Sequence, residues 1–212
     1  MGCFVPAMHG FNRELLQKML SAATASIESN VAWLNQLDSA TGDGDHGTSI
    51  VKAIRAASKS VTEEPAGQSL KEILHNAGWA VMGEDCGSTS SLIGAFFMGM
   101  SDAAVSDELD DDAAIALFPA GLAGISKQTK AKVGDKTLMD ALIPAIEAMQ
   151  NAGDLKNTLD AAASAAAQGA ESTKAFVAKF GRAKNLGERS VGHIDAGATS
   201  IALIFDAFAK SL

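Results

Sequence analysis

Between residues 38 and 49 the chain reads Asp38-Ser-Ala-Thr-Gly-Asp43-Gly-Asp45-His46-Gly47-Thr48-Ser49. Three carboxylates fall within eight residues, and the glycines beside them let the backbone fold tightly and turn the acids inward. Carboxylate oxygens are the ligands that hard divalent cations take. The segment lacks the Glu at position 12 and the spacing of an EF-hand, so Mg²⁺ is the better match, with phosphate oxygens and water completing its octahedron. His46-Gly-Thr-Ser49 then opens an expected helix. The first N–H groups of a helix lack partners within it and attract anions such as phosphate. Acids for a metal beside a helix start for phosphate make a coherent nucleotide seat. Any one of these Asp or Gly residues is explained about equally well as a turn or a cap. Three Asp, three Gly, a His and a Thr-Ser pair in one loop are much harder to explain that way.

Two more breaks are rich in Gly and polar residues, at 83–91 and 181–197. The elements that must carry these loops read as helices. Leu15, Met19, Ile27, Val31 and Leu34 recur at helical spacing behind Asn12, a candidate N-cap. A second helix is expected over 48–61. Ser69-Leu-Lys-Glu72 forms a capping-box pattern ahead of Ile73, Leu74, Ala77 and Val81. Residues 92–100 are apolar nearly all round, which predicts a buried central helix. Asp110-Asp-Asp112 suits a helix start because carboxylates favour the positive end of the helix dipole. That helix should reach Gln128, bent at Pro119. A further helix should follow Gly134-Asp135 and run to about Asn151, with Pro144 a second bend. An Ala-rich helix over 157–179 and a last one over 198–210 complete the expectation. The sum is one all-α domain over 1–212, a barrel or bundle of about eight helices with no strand, whose residues 1–10 are expected to be a flexible N-terminus.

Composition narrows the partners. The 212 residues carry a net charge of −8, with Lys+Arg 17 against Asp+Glu 25, which disfavours nucleic acid. No apolar run approaches the 18 residues of a membrane span, and the N-terminus shows no secretory pattern. Cys3 and Cys86 make neither a disulfide framework nor a zinc site, and reduced thiols fit a cytoplasmic protein.

The loop Leu37-Asp-x4-Gly-Asp-Gly-Asp-His-Gly47 resembles the signature of the nucleotide-binding L subunit of dihydroxyacetone kinases. Gly134-Asp-Lys-Thr-Leu-Met-Asp140, followed by Ala-Leu-Ile-Pro144, resembles that family's GDKTM-type segment. The run from Gly181-Arg-Ala-Lys-Asn-Leu-Gly-Glu-Arg-Ser190 through Val-Gly-His193-Ile-Asp-Ala-Gly-Ala198 resembles its GRASYLGERS-GH-DPGA segment. The similarity runs from about Leu15 to Phe208, with the motifs in matching order.

The resemblance implies a barrel of eight antiparallel helices with the nucleotide, ADP or ATP, in the loops at one end. It implies two Mg²⁺ ions held by Asp38, Asp43 and Asp45. It assigns His46, Gly47, Thr48 and Ser49 to phosphate and ribose contacts, and Gly87, Ser88 and Thr89 to a phosphate loop. Thr129 and Leu138 match positions near the nucleoside, Arg182 a nucleotide-contacting arginine, and Asp195, Ala196 and Gly197 the last nucleotide loop. Cys86 and Ser90 stand where the family has Gly, Ser91 where Pro is common, and Ala196 where Pro is usual, which leaves the donor open. The implied activity is phosphoryl transfer to an alcohol group, with catalysis by metal and positioning and no nucleophile from this chain. A separate K-type subunit would hold the ketose covalently. A phosphotransferase-system M-type protein could serve as phosphoryl donor, and a homodimer is possible. Two alternatives stay open: a kinase subunit for another short ketose such as a tetrulose, and an ADP-loaded module that binds a transcription factor. Within these motifs, Asp135 and Lys136 read as a helix cap and a solvated charge, slightly ahead of direct catalysis, Asp140 as a buried structural partner, and Cys86 as an inert filler.

Overall fold

A computed structural model describes residues 10–150 and 153–212. Among them the helical patterns become eight α-helices: α1 (Arg13–Ser39), α2 (His46–Glu63), α3 (Leu70–Met82), α4 (Ser88–Ala103), α5 (Asp111–Ser126), α6 (Met139–Met149), α7 (Leu155–Ser172) and α8 (Ala196–Lys210). Successive helices are neighbours in space, and α8 returns to lie along α1, so the helices form a closed ring. Their apolar faces meet inside it, where Leu20, Ile27, Ile54, Leu74, Phe118 and Phe205 are buried. A small apolar void of about 40 Å³ remains among Met19, Phe97 and Phe118. No helix of the described residues is long and apolar enough to cross a membrane.

The expected caps form. The Asn12 side chain accepts the Leu15 N–H, Asp110 accepts that of Ala113, and Ser69 and Glu72 complete the capping box. Each such cap is worth about 1 kcal/mol. The segment 92–100 is buried or half-buried throughout, as its composition predicts. Glycines bring its backbone against both neighbours. A Cβ on Gly78 of α3 would lie 2.9 Å from the Gly94 carbonyl oxygen, and one on Gly94 would lie 2.8 Å from that of Gly78. On the other side, methyl groups on Gly99 or Gly124 would overlap the carbonyls of Ala120 and Ala95. Pro119 and Pro144 both lie inside helices. Pro144 offers no N–H to the Asp140 carbonyl, and Gly169 of α7 packs closely on that oxygen.

Three expectations need correction. A short antiparallel ladder pairs β1 (Phe11–Asn12) with β2 (Glu108–Leu109), where no strand was expected. Two residues per strand are too few to show alternation, and tertiary pairing creates them. Phe11 and Leu109 bury their side chains there. The Ala-rich helix ends at Ser172 rather than Lys179 and passes into a 3-10 turn, Thr173–Ala175. The Thr173 carbonyl accepts the Lys136 ammonium and, in the tighter 3-10 pattern, the Phe176 N–H, so the α-helical ladder is not continued beyond it. Helix α6 starts at Met139, because the Asp140 carboxylate gathers the N–H groups of Gly134 and Thr137 into a turn first. The segment 1–9, with Cys3, and residues 151 and 152 lie outside the described residues.

Because the helices alternate in direction, every second connection lies at the same end of the ring. The connections after α1, α3, α5 and α7 share one end, and all four carry candidate site residues. The connections after α2, α4 and α6 lie at the other end, together with the β1–β2 ladder.

Candidate nucleotide and metal site

Asp38 closes the last turn of α1, and its carboxylate organises the loop that follows. One oxygen accepts the N–H of Gly44 at 2.8 Å and that of Asp45 at 3.1 Å. The chain can wrap this closely because a Cβ on Gly42 would collide with that carboxylate, and Gly44 takes φ +79°. Ligand oxygens of Asp38, Asp43 and Asp45 then lie within 4.8 Å of one another. Asp43 and Asp45 are exposed and Asp38 is half-buried. Asp45 occupies the N-cap position of α2, yet its side chain makes no capping bond. All three donors are hard oxygens clustered about one point and reachable from solvent, which fits a divalent cation.

The first turn of α2 faces this cluster. Thr48 is fixed by Asn35 of α1, whose amide oxygen accepts the Thr48 N–H at 3.2 Å and whose amide nitrogen donates to the Thr48 hydroxyl at 3.2 Å. Gly47 leans against α1, where any side chain would overlap the Val31 carbonyl. The His46 Nε2 lies 3.0 Å from the Ser200 hydroxyl of α8. Burial pushes the His46 imidazole below its ordinary value, against the opposing pull of Asp38. The start of α4 has a similar form. Gly87 stands at its N-cap with φ +58° and provides no side-chain cap. The Ser90 hydroxyl donates to the Gly87 carbonyl at 3.0 Å, so the extra side chain at Ser90 folds back onto the turn. Cys86 is buried beside it; burial raises its thiol, the Lys52 ammonium opposes this, and among the acids that add to the rise is Asp45.

The connection after α7 supplies the remaining side. Arg182 opens a 3-10 segment, Arg182–Ser190, and its guanidinium pairs with the Asp43 carboxylate. Asp195 caps α8, accepting the Ala198 N–H at 2.7 Å, and its own N–H donates to the Thr173 hydroxyl at 2.9 Å. Burial pushes the Asp195 carboxyl up to about 7, and the negative charges of Asp140 and Asp38 add to the rise, while the Ala198 N–H and Lys136 oppose it. Ala196 is buried behind it. Gly197 faces Leu138, the residue before α6, and a Cβ there would lie 3.4 Å from the Leu138 Cβ.

The fold thus brings together Asp38, Asp43, Asp45, the start of α2, Arg182 and the start of α8, with Leu138 against Gly197. Thr129 lies in the same end's α5–α6 connection and accepts the Ala131 N–H at 3.1 Å. Among the described residues no hydrogen bond or ion pair joins Thr129 to the acidic loop. Lys136 is a correction: it is 2% exposed rather than solvated, with its Nζ bonded to two main-chain carbonyls. Asp140 is fully buried and bonded to backbone, as expected. Sequence reasoning missed Asn35, Thr173 and Ser200. Asn35 carried a signal, standing one turn before Asp38 on α1. Ser200 lies 154 residues from His46 and carried none.

Comparisons with known proteins agree with this geometry. The DAK2 domain model matches residues 40–210. The PEP-dependent dihydroxyacetone kinase 1, ADP-binding subunit DhaL, of Listeria innocua is 34% identical over 202 residues, 95% of this chain and 98% of the relative. The L-erythrulose kinase of Pectobacterium atrosepticum is 33% identical over 91% of this chain, which spans 34% of that protein. The crystal structure of the dihydroxyacetone kinase from C. freundii in complex with AMP-PNP and Mg²⁺ is similar with a TM-score of 0.73 and 25% identity, over all of this chain and 37% of that one. A ring of helices with an acidic, cation-suited loop at one end defines a nucleotide-binding class of all-α protein. Within that class the chain belongs to the DAK2 domain family, among the DhaL-type subunits of dihydroxyacetone kinases.

Proposed function

We propose that the chain is the nucleotide-binding subunit of a dihydroxyacetone kinase, a phosphotransferase acting on an alcohol group and active only with a partner subunit. The observation that carries this reading is the convergence of three carboxylates, two helix starts without side-chain caps and an arginine at one end of the ring. Asp38, Asp43 and Asp45 would hold two Mg²⁺ ions. When bound, such ions neutralise and polarise phosphoryl oxygens. The chain's own residues do the rest by positioning. The N–H groups of His46 and Gly47 at the start of α2, and of Ser88 at the start of α4, offer donors for phosphate oxygens, while Ser49 and Thr89, whose N–H groups already bond the Asp45 and Cys86 carbonyls, would contribute through their hydroxyls. Arg182 transfers its guanidinium from Asp43 to the phosphates, where a planar cation suits the charge. Leu138, Thr129 and the turn Asp195–Gly197 border the nucleoside. The ketose sits on the K-type subunit, so this chain needs no nucleophile. Either free ATP or a phosphotransferase-system M-type protein acting on bound ADP serves as donor, and the setting is the cytoplasm.

A tetrulose in place of dihydroxyacetone is a second reading, favoured by the likeness to an L-erythrulose kinase. The test mixes the purified chain with a K-type subunit, Mg-ATP and dihydroxyacetone or L-erythrulose. ADP formation with dihydroxyacetone is expected, and turnover of L-erythrulose alone selects the second reading. No ADP from any short ketose, despite tight nucleotide binding, overturns the ATP-dependent form. Phosphorylated M-type protein added to the ADP-loaded chain then tests the other donor.

A further inference from the structure

Lys136 carries three unusual features at once. It is 2% exposed, it holds φ +61° where every other positive-φ residue described is glycine, and its Nζ bonds main-chain oxygens from two other parts of the chain. One is the Thr173 carbonyl at 2.6 Å, just after α7; the other is the His193 carbonyl, two residues before the cap of α8. A left-handed backbone is strained for a residue with a Cβ, and burying an ammonium costs more unless it is bonded. The surroundings hold this conformation in place. Asp140 accepts the N–H groups of Gly134 and Thr137 on either side of it, and Asp135 accepts the Lys132 N–H at 3.0 Å and the Lys179 ammonium at 2.8 Å. Strain maintained by this many bonds points to a use, since a glycine would take φ +61° without it.

The bonds show what is being held. Thr173, clamped through its carbonyl, offers its hydroxyl to the Asp195 N–H. His193, clamped through its carbonyl, leads directly into Asp195. Both grips converge on the residue that caps α8 and borders the candidate site, and Leu138, two residues after Lys136, touches Gly197. We propose that Lys136 is a positioning residue of the nucleotide site, fastening the end of α7 and the start of α8 to the 134–140 loop so that Asp195, Ala196, Gly197 and Leu138 form one rigid wall. The proposal rests on the nucleotide-binding reading above.

The test is Lys136→Gly, which suits φ +61°, with Mg-ADP affinity measured by calorimetry and helix content by circular dichroism. The variant is expected to keep its helix signal and to bind Mg-ADP roughly tenfold or more weakly, the scale of loss when a residue behind a binding group is removed. n-Butylammonium, which replaces the deleted side chain, should restore affinity, whereas n-butanol should not. A parent chain that binds no Mg-ADP overturns the nucleotide reading and this proposal with it. If the parent binds and Lys136→Gly binds equally well, or if butanol rescues as well as butylammonium, only the positioning role is overturned. A variant that loses its helix signal even with butylammonium present makes Lys136 purely architectural and also overturns the proposal.

Discussion

At the scale of the residue, the acidic loop is organised by Asp38, whose carboxylate stands in the cluster of three while one of its oxygens holds Gly44 and Asp45. Asp43 has no such second role in the backbone, and its side chain is exposed. Asp43→Asn should therefore leave the helical circular dichroism intact while abolishing metal-dependent nucleotide binding, and unchanged affinity by calorimetry would remove Asp43 from the site. Asp195 gives a pH signature. Its folded carboxyl is pushed up to about 7, whereas the unfolded chain releases that proton near the ordinary carboxylate value. The stability tied to Asp195 is complete at acid pH and is lost as pH rises toward 7. Asn can accept the same capping bond without ionising. Asp195→Asn should thus raise the Tm of the ligand-free chain, by a margin that widens from about pH 4 to pH 7 and levels above it. A margin constant with pH, read by scanning calorimetry, contradicts this. The clustering of the three Asp was legible in the sequence because carboxylates from one loop are a local pattern. Lys136 was not, because its partners Thr173 and His193 are 37 and 57 residues away.

At the scale of the element, three helix starts were legible from the side chain that makes the cap, Asn12, Ser69 with Glu72, and Asp110, whereas Asp154 and Asp195 also cap α7 and α8 but the apolar pattern placed those starts two residues late, at 157 and 198. The helix ends that eluded sequence reading were set by tertiary bonds. α7 stops where Lys136 takes a carbonyl, and the start of α6 waits for the Asp140 turn. Helix α4 shows how an element positions the site from behind. Its start carries Ser88 and Thr89, while Gly94 and Gly99 bring its body into backbone contact with α3 and α5. Gly94→Ala would place a methyl 2.8 Å from the Gly78 carbonyl, and such overpacking costs about 1–3 kcal/mol. The expected result is a lower midpoint in urea together with weaker nucleotide binding, because the helix must shift. Gly153→Ala, with no atom within 4 Å of the new methyl, is the control that should change neither.

At the scale of the whole molecule, the ring separates closure from chemistry. Four connections gather the candidate residues at one end, and the opposite end is sealed by Phe11 paired with Leu109. Phe11→Ala should cost about 3–5 kcal/mol of stability, as large aromatic deletions in a core do, yet leave the Mg-ADP affinity of the folded protein unchanged. Parallel loss of affinity would show that the two ends are coupled. The alternation of loops was implicit in a count of eight helices. The sealing ladder was not, since it joins residues from opposite halves of the chain.

The two sides of the binding end differ in how much freedom they keep. α4 is wedged between its neighbours with no space for a methyl group, so a ligand that meets its first turn finds a surface already ordered. The connection from 176 to 195 is long and mostly exposed, its 3-10 segment is broken at Gly187, and its Arg182 is held, among the described residues, only through the exposed Asp43. The protein's own share of any ordering entropy on binding therefore falls unevenly, little on the packed rod of α4 and more on the exposed connection that carries Arg182.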